Sequence, residues 1–201
     1  NGQAILPTPT IGGVGLIRDW QKMARIAFAG EGDTIVLIGA PEKWGTHLGQ
    51  SVFLRDVCGR VDGPPPPVDL AHEKRVGAFV RGLIADGLAT AVHDLSDGGL
   101  ALGLAEMAIA SGIGAHIDLP DGIAVLPALF GEDQGRYLMT IPAAETERFF
   151  AEHVTKAQVS AVAIGRTGGD ELKLGGTRAI SVQQLKTAHE SWFPRFMNGA
   201  D

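Results

Sequence analysis

The sequence has few cysteines, few basic residues and no long apolar run, and each of these features excludes a class of protein. A single cysteine, Cys58, among 201 residues excludes an internal disulfide and a cysteine-based zinc cluster. No apolar run is long enough to span a membrane. Acidic residues outnumber basic ones, for a net charge of −6, and no basic stripe with interleaved aromatics occurs. We therefore expect a globular protein of a reducing cytoplasm, without nucleic-acid or membrane partners.

Glycine is abundant, with 28 residues, and we expect it to mark turns between short elements. The chain starts at Asn1 without a methionine or a signal peptide, so we interpret it as a piece of a longer polypeptide. The predicted helices cover 20–27, 50–57, 70–86, 100–111, 143–156 and 182–196, and the predicted strands cover 34–39, 88–93, 115–119, 137–141, 159–164, 171–174 and 178–181. This order predicts an α+β fold, a layered α/β/α domain with a mixed sheet.

The turn that joins one predicted strand to the next helix is rich in acids and glycines. Ser96 or Asp97 could cap the free N–H groups of the helix, while Gly98 and Gly99 allow a backbone or ligand to come close. A helix start attracts anions, yet Asp94 and Asp97 repel a bare phosphate, so a phosphate here needs a divalent cation such as Mg²⁺. The alternative is a well-capped turn that binds no ligand.

A second polar cluster precedes the predicted strand 137–141. Glu132, Asp133 and Gln134 lie between two glycines, and Arg136 follows the second. Together they could bind a polar ligand, although a charged surface turn has the same composition.

Several smaller expectations follow from local patterns. Cys58 is expected to be a small buried side chain, and His47 a solvated or hydrogen-bonded loop residue. Residues 168–170 predict a hairpin-like turn. The segment Ala4–Ile17 predicts an extended stretch, followed by a glycine turn and then a short strand. Trp192 and Phe193 are expected to dock the last helix onto the domain. Val52, Phe53 and Val57 are expected to point inward.

Three motifs in the same order resemble the synthetase subunit of the phosphoribosylformylglycinamidine synthase family. They are Pro7-Thr8-Pro9-Thr10-Ile11-Gly12-Gly13-Val14-Gly15, His93-Asp94-Leu95-Ser96-Asp97-Gly98-Gly99-Leu100-Ala101 and Phe130-Gly131-Glu132-Asp133-Gln134-Gly135-Arg136. The resemblance extends over nearly the whole chain. It implies that 18–201 form the second C-terminal domain of aminoimidazole-ribonucleotide-synthase type, and that 1–17 end the preceding N-terminal-half domain and include a linker.

The resemblance implies a function for the longer protein, the ATP-dependent amidation of formylglycinamide ribonucleotide in purine biosynthesis. The activity is that of a C–N ligase, with ATP and Mg²⁺ as cofactors and ammonia from a glutaminase subunit. The implied partners are the missing N-terminal part of the chain, the glutaminase subunit and a small accessory subunit. The catalytic residues are then outside this chain, and the isolated domain is inactive and holds no cofactor tightly.

The resemblance also implies roles by internal pseudo-symmetry between the two copies of the unit. Asp94 becomes a Mg²⁺ ligand of an auxiliary nucleotide site. The other residues implied to bind ligand there are Ser96, Asp97, Gly98, Gly99, Glu132, Asp133 and Gln134. Asp133 stands where the other copy has serine, which adds negative charge to this site.

Two alternatives stay open. The chain could belong to another ATP-using member of the superfamily, such as aminoimidazole ribonucleotide synthase, selenophosphate synthetase or thiamine-phosphate kinase. It could instead be a non-enzymatic interaction module. The face that would meet the missing N-terminal half could then bind a partner or form a homodimer.

Overall fold

The strand Thr34–Ile38 lies in the middle of the molecule, and all five of its residues are buried. A continuous run of β-branched and apolar residues is typical of a strand that is covered on both faces. Ile35 and Leu37 enter one hydrophobic core, and Val36 and Ile38 enter a second core on the opposite face. The structure, a computed structural model, describes residues 10–17, 19–39 and 44–199.

The described chain contains seven strands and five longer helical segments. The strands are β1 (Thr34–Ile38), β2 (Ala91–Asp94), β3 (Ala115–Ile117), β4 (Tyr137–Ile141), β5 (Ala161–Thr167), β6 (Glu171–Leu174) and β7 (Ile180–Ser181). The helices are α1 (Leu70–Ala85), α2 (Gly99–Ser111), α3 (Val125–Phe130), α4 (143–157, with a 3₁₀ start and the π-helical stretch Phe149–Val154) and α5 (Val182–Met197). Short helical turns form at Trp20–Lys22 and Phe53–Val57.

The strands form one mixed sheet in the order β2-β4-β1-β5-β3-β6-β7. Every neighbouring pair is antiparallel except β3 and β6, which are parallel. Helix α2 packs on one face through Leu100, Leu104 and Met107. On the other face, α1 contributes Val76, Val80 and Leu83, and α4 contributes Phe149. The predicted three-layer α+β architecture with a mixed sheet is confirmed.

The predicted hairpin at residues 168–170 is wrong. Strands β5 and β6 follow each other in sequence, but β3 lies between them and pairs with both. The glycines turn the chain past β3: the amide of Gly168 donates to Gly114 O, and that of Gly114 donates to Gly169 O.

Some helix predictions differ from the structure in length. Asp19 caps its helix as expected, since its carboxylate accepts from the Gln21 amide at 3.1 Å, but the 3₁₀ turn ends at Lys22. The segment predicted as a helix over 50–57 forms only the π-helical turn Phe53–Val57, whose Val57 is exposed rather than inward. Helix α3 was not predicted.

Three side-chain predictions are also wrong. Cys58 is exposed, because it ends the turn Phe53–Val57 at the surface. Trp192 and Phe193 are 53% and 60% exposed, so they do not dock α5 onto the domain. This helix is held at its other end, where Val182 is buried.

The predicted strand near the start of the chain does not form within the described residues. Residues 10–17 have no regular secondary structure, and Ile11 and Val14 are exposed. Residues 4–9, which include Pro7, Thr8 and Pro9 of the first motif, lie outside the described part. None of the described helices has the length and hydropathy to cross a bilayer.

Candidate functional site

The acidic turn, residues 94–99, lies at the exposed end of β2, where the chain enters α2. Asp94, Ser96 and Asp97 are exposed, and Gly98 and Gly99 are buried. Both glycines have positive φ, 74° and 62°, which a residue with a Cβ rarely adopts. The sequence therefore bends sharply here and directs its polar side chains outward.

Neither Ser96 nor Asp97 caps α2, contrary to the prediction. Gly98 occupies the N-cap position, and within the described residues no side-chain cap forms from that position. The Gly98 amide instead donates to Oε1 of Glu132, 2.8 Å away, from the second polar cluster. The carboxylate of Glu132, 34 residues later in the chain, thus caps the start of α2 in place of a local side chain.

The structure brings the two polar motifs together. The Leu95 amide donates to Arg136 O at 2.9 Å, beside the bond between Gly98 and Glu132. Gly99 is so close to the opposite backbone that a Cβ would lie 2.5 Å from Gly131 O. The expectation that a glycine here permits close approach of another backbone is confirmed. The 130–136 loop and the acidic turn therefore form one unit.

The 130–136 loop also holds a third segment, the 44–52 loop. Oε1 of Glu132 accepts from the Val52 amide at 2.8 Å, and the Glu132 amide donates to His47 O at 3.0 Å. Glu132 thus joins the 44–52 loop to the start of α2 through one carboxylate oxygen.

Asp133 is fixed by four hydrogen bonds from two residues. Oδ2 accepts from the amides of Thr46 and His47 at 2.8 and 3.1 Å. Oδ1 accepts from the Thr46 hydroxyl at 2.8 Å and from His47 Nδ1 at 2.7 Å. Burial alone would raise the pKa of Asp133, but these bonds outweigh it and lower the pKa to about 2. The carboxylate is ionised at neutral pH and orients the His47 ring.

Arg136 is the most deeply buried charged side chain of the site, at 1% exposure. Its guanidinium donates to three backbone carbonyls, those of Trp44, Gly131 and Asp133. Burial lowers the pKa of Arg136, but an arginine keeps its charge. The carbonyl dipoles of two loops converge on this one cation, which holds the loops in place.

The predicted site residues thus divide into two groups. Glu132 and Asp133 use their carboxylates on protein N–H and O–H groups, while Asp94, Ser96, Asp97 and Gln134 are exposed around them. Gln134 lies 3.5 Å from Glu132 O, at the limit of a hydrogen bond. In the described ranges, no three His, Cys, Asp or Glu side chains converge as a metal site. The ligand-binding roles of all eight residues stay predictions.

The sequence did not show which carboxylates pair with two of the histidines. His47 was expected to be a solvated or hydrogen-bonded loop residue, and its bond to Asp133 fits that expectation. His93, at the end of β2, contacts Glu106 through Nε2 at 2.7 Å, while its buried Nδ1 has no hydrogen-bond partner among the described residues. The second pair depends on how α2 packs beside β2, and no local pattern shows it.

Residues 30–175 match the family described as AIR synthase related protein, C-terminal domain. The chain belongs to this family. The match includes the acidic turn, the 130–136 loop and six of the seven strands.

This AIR synthase related C-terminal domain has close sequence relatives. It is 68% identical over 199 residues to the phosphoribosylformylglycinamidine synthase subunit PurL of Chelativorans sp. (strain BNC1), which covers 98% of the chain and 27% of the relative. It is 62% identical over 199 residues to the same subunit of Rhizobium meliloti (strain 1021), with 99% and 27% covered. The domain therefore spans about a quarter of the length of these curated relatives.

The fold is similar to solved structures at low sequence identity. PurLQS from Thermotoga maritima has a TM-score of 0.65 at 15% identity, with 83% of the chain and 28% of that protein covered. T. maritima PurL complexed with FGAR gives 0.65 at 15% identity, covering 83% and 30%. The same protein complexed with ATP gives 0.62 at 16% identity, covering 83% and 28%. These structures show that the fold is shared.

Proposed function

We propose that this domain is part of a phosphoribosylformylglycinamidine synthase subunit and serves the amidation of formylglycinamide ribonucleotide in purine biosynthesis. One observation carries the proposal: sequence identity of 56–68% with PurL subunits over nearly the whole chain. Neither alternative from the sequence is favoured by a comparable observation. In this proposal, residues 1–17 belong to the preceding domain and its linker, and 18–201 to the C-terminal domain.

The proposed reaction forms a C–N bond at the expense of ATP, with ammonia supplied by a glutaminase subunit. The complexes of T. maritima PurL with ATP and with FGAR support these substrates. The structure of PurLQS supports assembly with further subunits, which we take to be the glutaminase and a small accessory subunit. A purine-pathway enzyme of this kind is expected in the cytoplasm.

The site fits a supporting role toward a nucleotide. Asp94 is 71% exposed, and a single carboxylate together with phosphate oxygens and water is a usual ligand set for Mg²⁺. We propose that Asp94 would hold Mg²⁺ there. Ser96, Asp97 and Gln134 would face the nucleotide beside it, and Gly98 and Gly99 would let it approach the backbone. Mg²⁺ would neutralise phosphate charge next to these carboxylates.

Glu132 and Asp133 have a different role in this proposal. Their carboxylates position the acidic turn and the 44–52 loop, and they act on a ligand only through those segments. No nucleophile or general base is assigned within the described chain, and we place the catalytic residues in the remaining three quarters of the longer protein. The isolated domain is expected to be inactive.

An exchange experiment tests this function. The matching stretch of the Chelativorans PurL gene is replaced by the 201 codons of this chain, and the product is tested for growth of a purine auxotroph that lacks PurL. We expect growth without added purine. The same gene with the stretch deleted is the control and should not support growth. A soluble exchanged protein that fails to restore growth would contradict the proposal.

A further inference from the structure

On the side of the sheet opposite α2, none of the described elements covers one half of the sheet. Helices α1 and α4 pack over β2, β4 and β1 through the second core. The continuation of that face over β5, β3 and β6 is exposed, although the same strands bury their other face. Its exposed side chains are Ala163, Arg166, His116, Glu171 and Lys173.

The strand register aligns a row of polar side chains that starts at the buried Thr34, beside α4, and continues across this exposed face. Thr34 of β1 is paired with Arg166 of β5, Arg166 with His116 of β3, and His116 with Lys173 of β6. Directly paired residues project from the same face, with Cβ atoms about 5 Å apart in antiparallel pairs. A hydroxyl and three basic side chains therefore lie side by side, in positions fixed by the sheet.

A depression of about 310 Å³ lies at one end of this row. Its floor is formed by small residues, Ala163 and Gly165, and its walls by Thr34, Thr146, Arg166 and His116. Glycine is required at 165 because the strands approach closely there: a Cβ would lie 2.0 Å from His116 O. The floor of the depression is thus set by the strand packing.

The walls of the depression offer several hydrogen-bond donors. The hydroxyls of Thr34 and Thr146 are 2.8 Å apart, so one proton forms their mutual bond and the other is left to donate. Thr34 is only 4% exposed, so burial holds its hydroxyl in position beside that of Thr146. Arg166 forms no ion pair within the described residues, and its one hydrogen-bond contact, with Gly32 O, is 3.5 Å long. Its planar group can therefore make paired bonds to an oxyanion.

One acidic group opposes this arrangement. Asp118 also lines the depression, and its Oδ1 lies 3.4 Å from His116 Nε2. Its charge offsets part of the attraction of Arg166 for an anion, so it limits affinity. The direction of its effect can be tested, because neutralising this carboxylate should strengthen anion binding.

We propose that this depression binds the phosphate group of a small phosphorylated molecule, at a site separate from the acidic turn. Arg166 supplies two parallel N–H donors, the threonine pair supplies one O–H, and the His116 ring supplies an N–H. The volume exceeds that of a phosphate group, so a small organic part of the ligand also fits. The proposal does not depend on the function proposed above, since it uses none of the same residues.

The test is a titration of the 201-residue chain with inorganic phosphate, followed by ¹H–¹⁵N NMR at constant ionic strength. We expect saturable shifts centred on the amides of Gly165 and Arg166.

Arg166→Gln should weaken binding about tenfold, as loss of a paired charged contact does. Thr146→Val keeps the arginine and should weaken binding by a smaller factor, while Asp118→Asn should strengthen it about two- to threefold. The matched control, Lys173→Gln, lies in the same row outside the depression and should change binding less than about twofold.

Three results would overturn the proposal. One is the absence of saturation, and another is a set of shifts centred elsewhere in the chain. The third is equal phosphate affinity in the parent chain and in both the Arg166→Gln and Thr146→Val variants. Because Arg166 is exposed, its variant should keep the rest of the parent spectrum.

Discussion

At the scale of single residues, Arg136 shows how a buried charge can organise a site. The guanidinium is compensated by three carbonyl dipoles of Trp44, Gly131 and Asp133, and it forms no ion pair among the described residues. Such a fork-shaped cation can satisfy several carbonyls that point in different directions. The arrangement therefore depends on the shape of the side chain as well as on its charge.

Replacement of Arg136 by lysine should destabilise the domain although the charge is kept. A lysine ammonium is compact and cannot reach all three carbonyls, so at least one charge-assisted bond is lost inside the protein. We expect a loss of about 2–4 kcal/mol in the free energy of unfolding, measured by urea denaturation. The control is Arg166→Lys at an exposed position, which should change stability by less than about 0.5 kcal/mol. Equal stabilities of both variants would contradict the role assigned to Arg136.

Ionised Asp133 should stabilise the folded domain, and this stabilisation should be lost in acid. Its pKa is lowered from 3.8 to about 2 by folding, so the folded state favours the charged form. The stabilisation is complete above the unfolded pKa, near 4, and disappears as the pH falls toward 2. Its size is on the order of 2 kcal/mol.

The stability difference between the parent and Asp133→Asn tests this stabilisation. Urea unfolding from neutral pH down to about pH 2.5 should show a difference that is constant above about pH 5 and shrinks below about pH 4. The amide side chain of this variant offers only one acceptor oxygen to the four donors, so the variant is the less stable form at neutral pH. A difference that does not depend on pH would mean that the carboxylate charge is not the stabilising feature.

The residue composition of the 130–136 loop was visible in the sequence, but the direction of its side chains was not. Glu132 and Asp133 bond to Val52, Thr46 and His47, which are 80–87 residues earlier in the chain. Local patterns contain no information on such a partner, and an acidic pair between glycines fits an exposed turn equally well. Cys58 shows the same limit, because its exposure is set by where the turn Phe53–Val57 ends.

At the scale of elements, the start of α2 depends on a backbone that comes very close to the 130–136 loop. Gly99→Ala adds a Cβ at a positive φ and places it 2.5 Å from Gly131 O. We expect a loss of about 3 kcal/mol or more, since the backbone must move. The matched control is Gly87→Ala, at a similar φ of 72° with no atom within 4 Å of the added Cβ. It should cost only about 1–2 kcal/mol. Thermal unfolding of both variants measures the difference, and equal losses would show that the close approach is unimportant.

Elements with strong periodicity or continuous apolar sequence were predicted well, and those set by long-range pairing were not. Helix α1 and strand β1 have their patterns in their own residues, and both form close to the predicted positions. The glycines at 168–170 indicate a turn, but only β3 determines that the strands on either side do not pair. Helix α3 has six residues with Pro127 inside, too short for a periodic pattern.

At the scale of the whole molecule, the two cores build the fold, whereas the loop contacts connect the polar segments at its surface. The central strand carries both cores, and the fold built around it is shared with T. maritima PurL structures at 15% identity. The 130–136 loop adds the link between the acidic turn and the 44–52 loop. We therefore regard the two motifs as one unit, in which the carboxylates of Glu132 and Asp133 fix the backbone and the outer polar groups are exposed.

Amide hydrogen exchange of the parent chain and of Glu132→Ala tests this central claim most directly. One carboxylate oxygen accepts from both the Gly98 and the Val52 amide, so the substitution should remove two bonds in distant segments at once. We predict that both amides exchange at least about tenfold faster in the variant, because each loses a charge-assisted bond of about 1.5 kcal/mol or more. Amides inside α1 should keep their parent exchange rates. Unchanged exchange at Gly98 and Val52 in a folded variant would contradict the account.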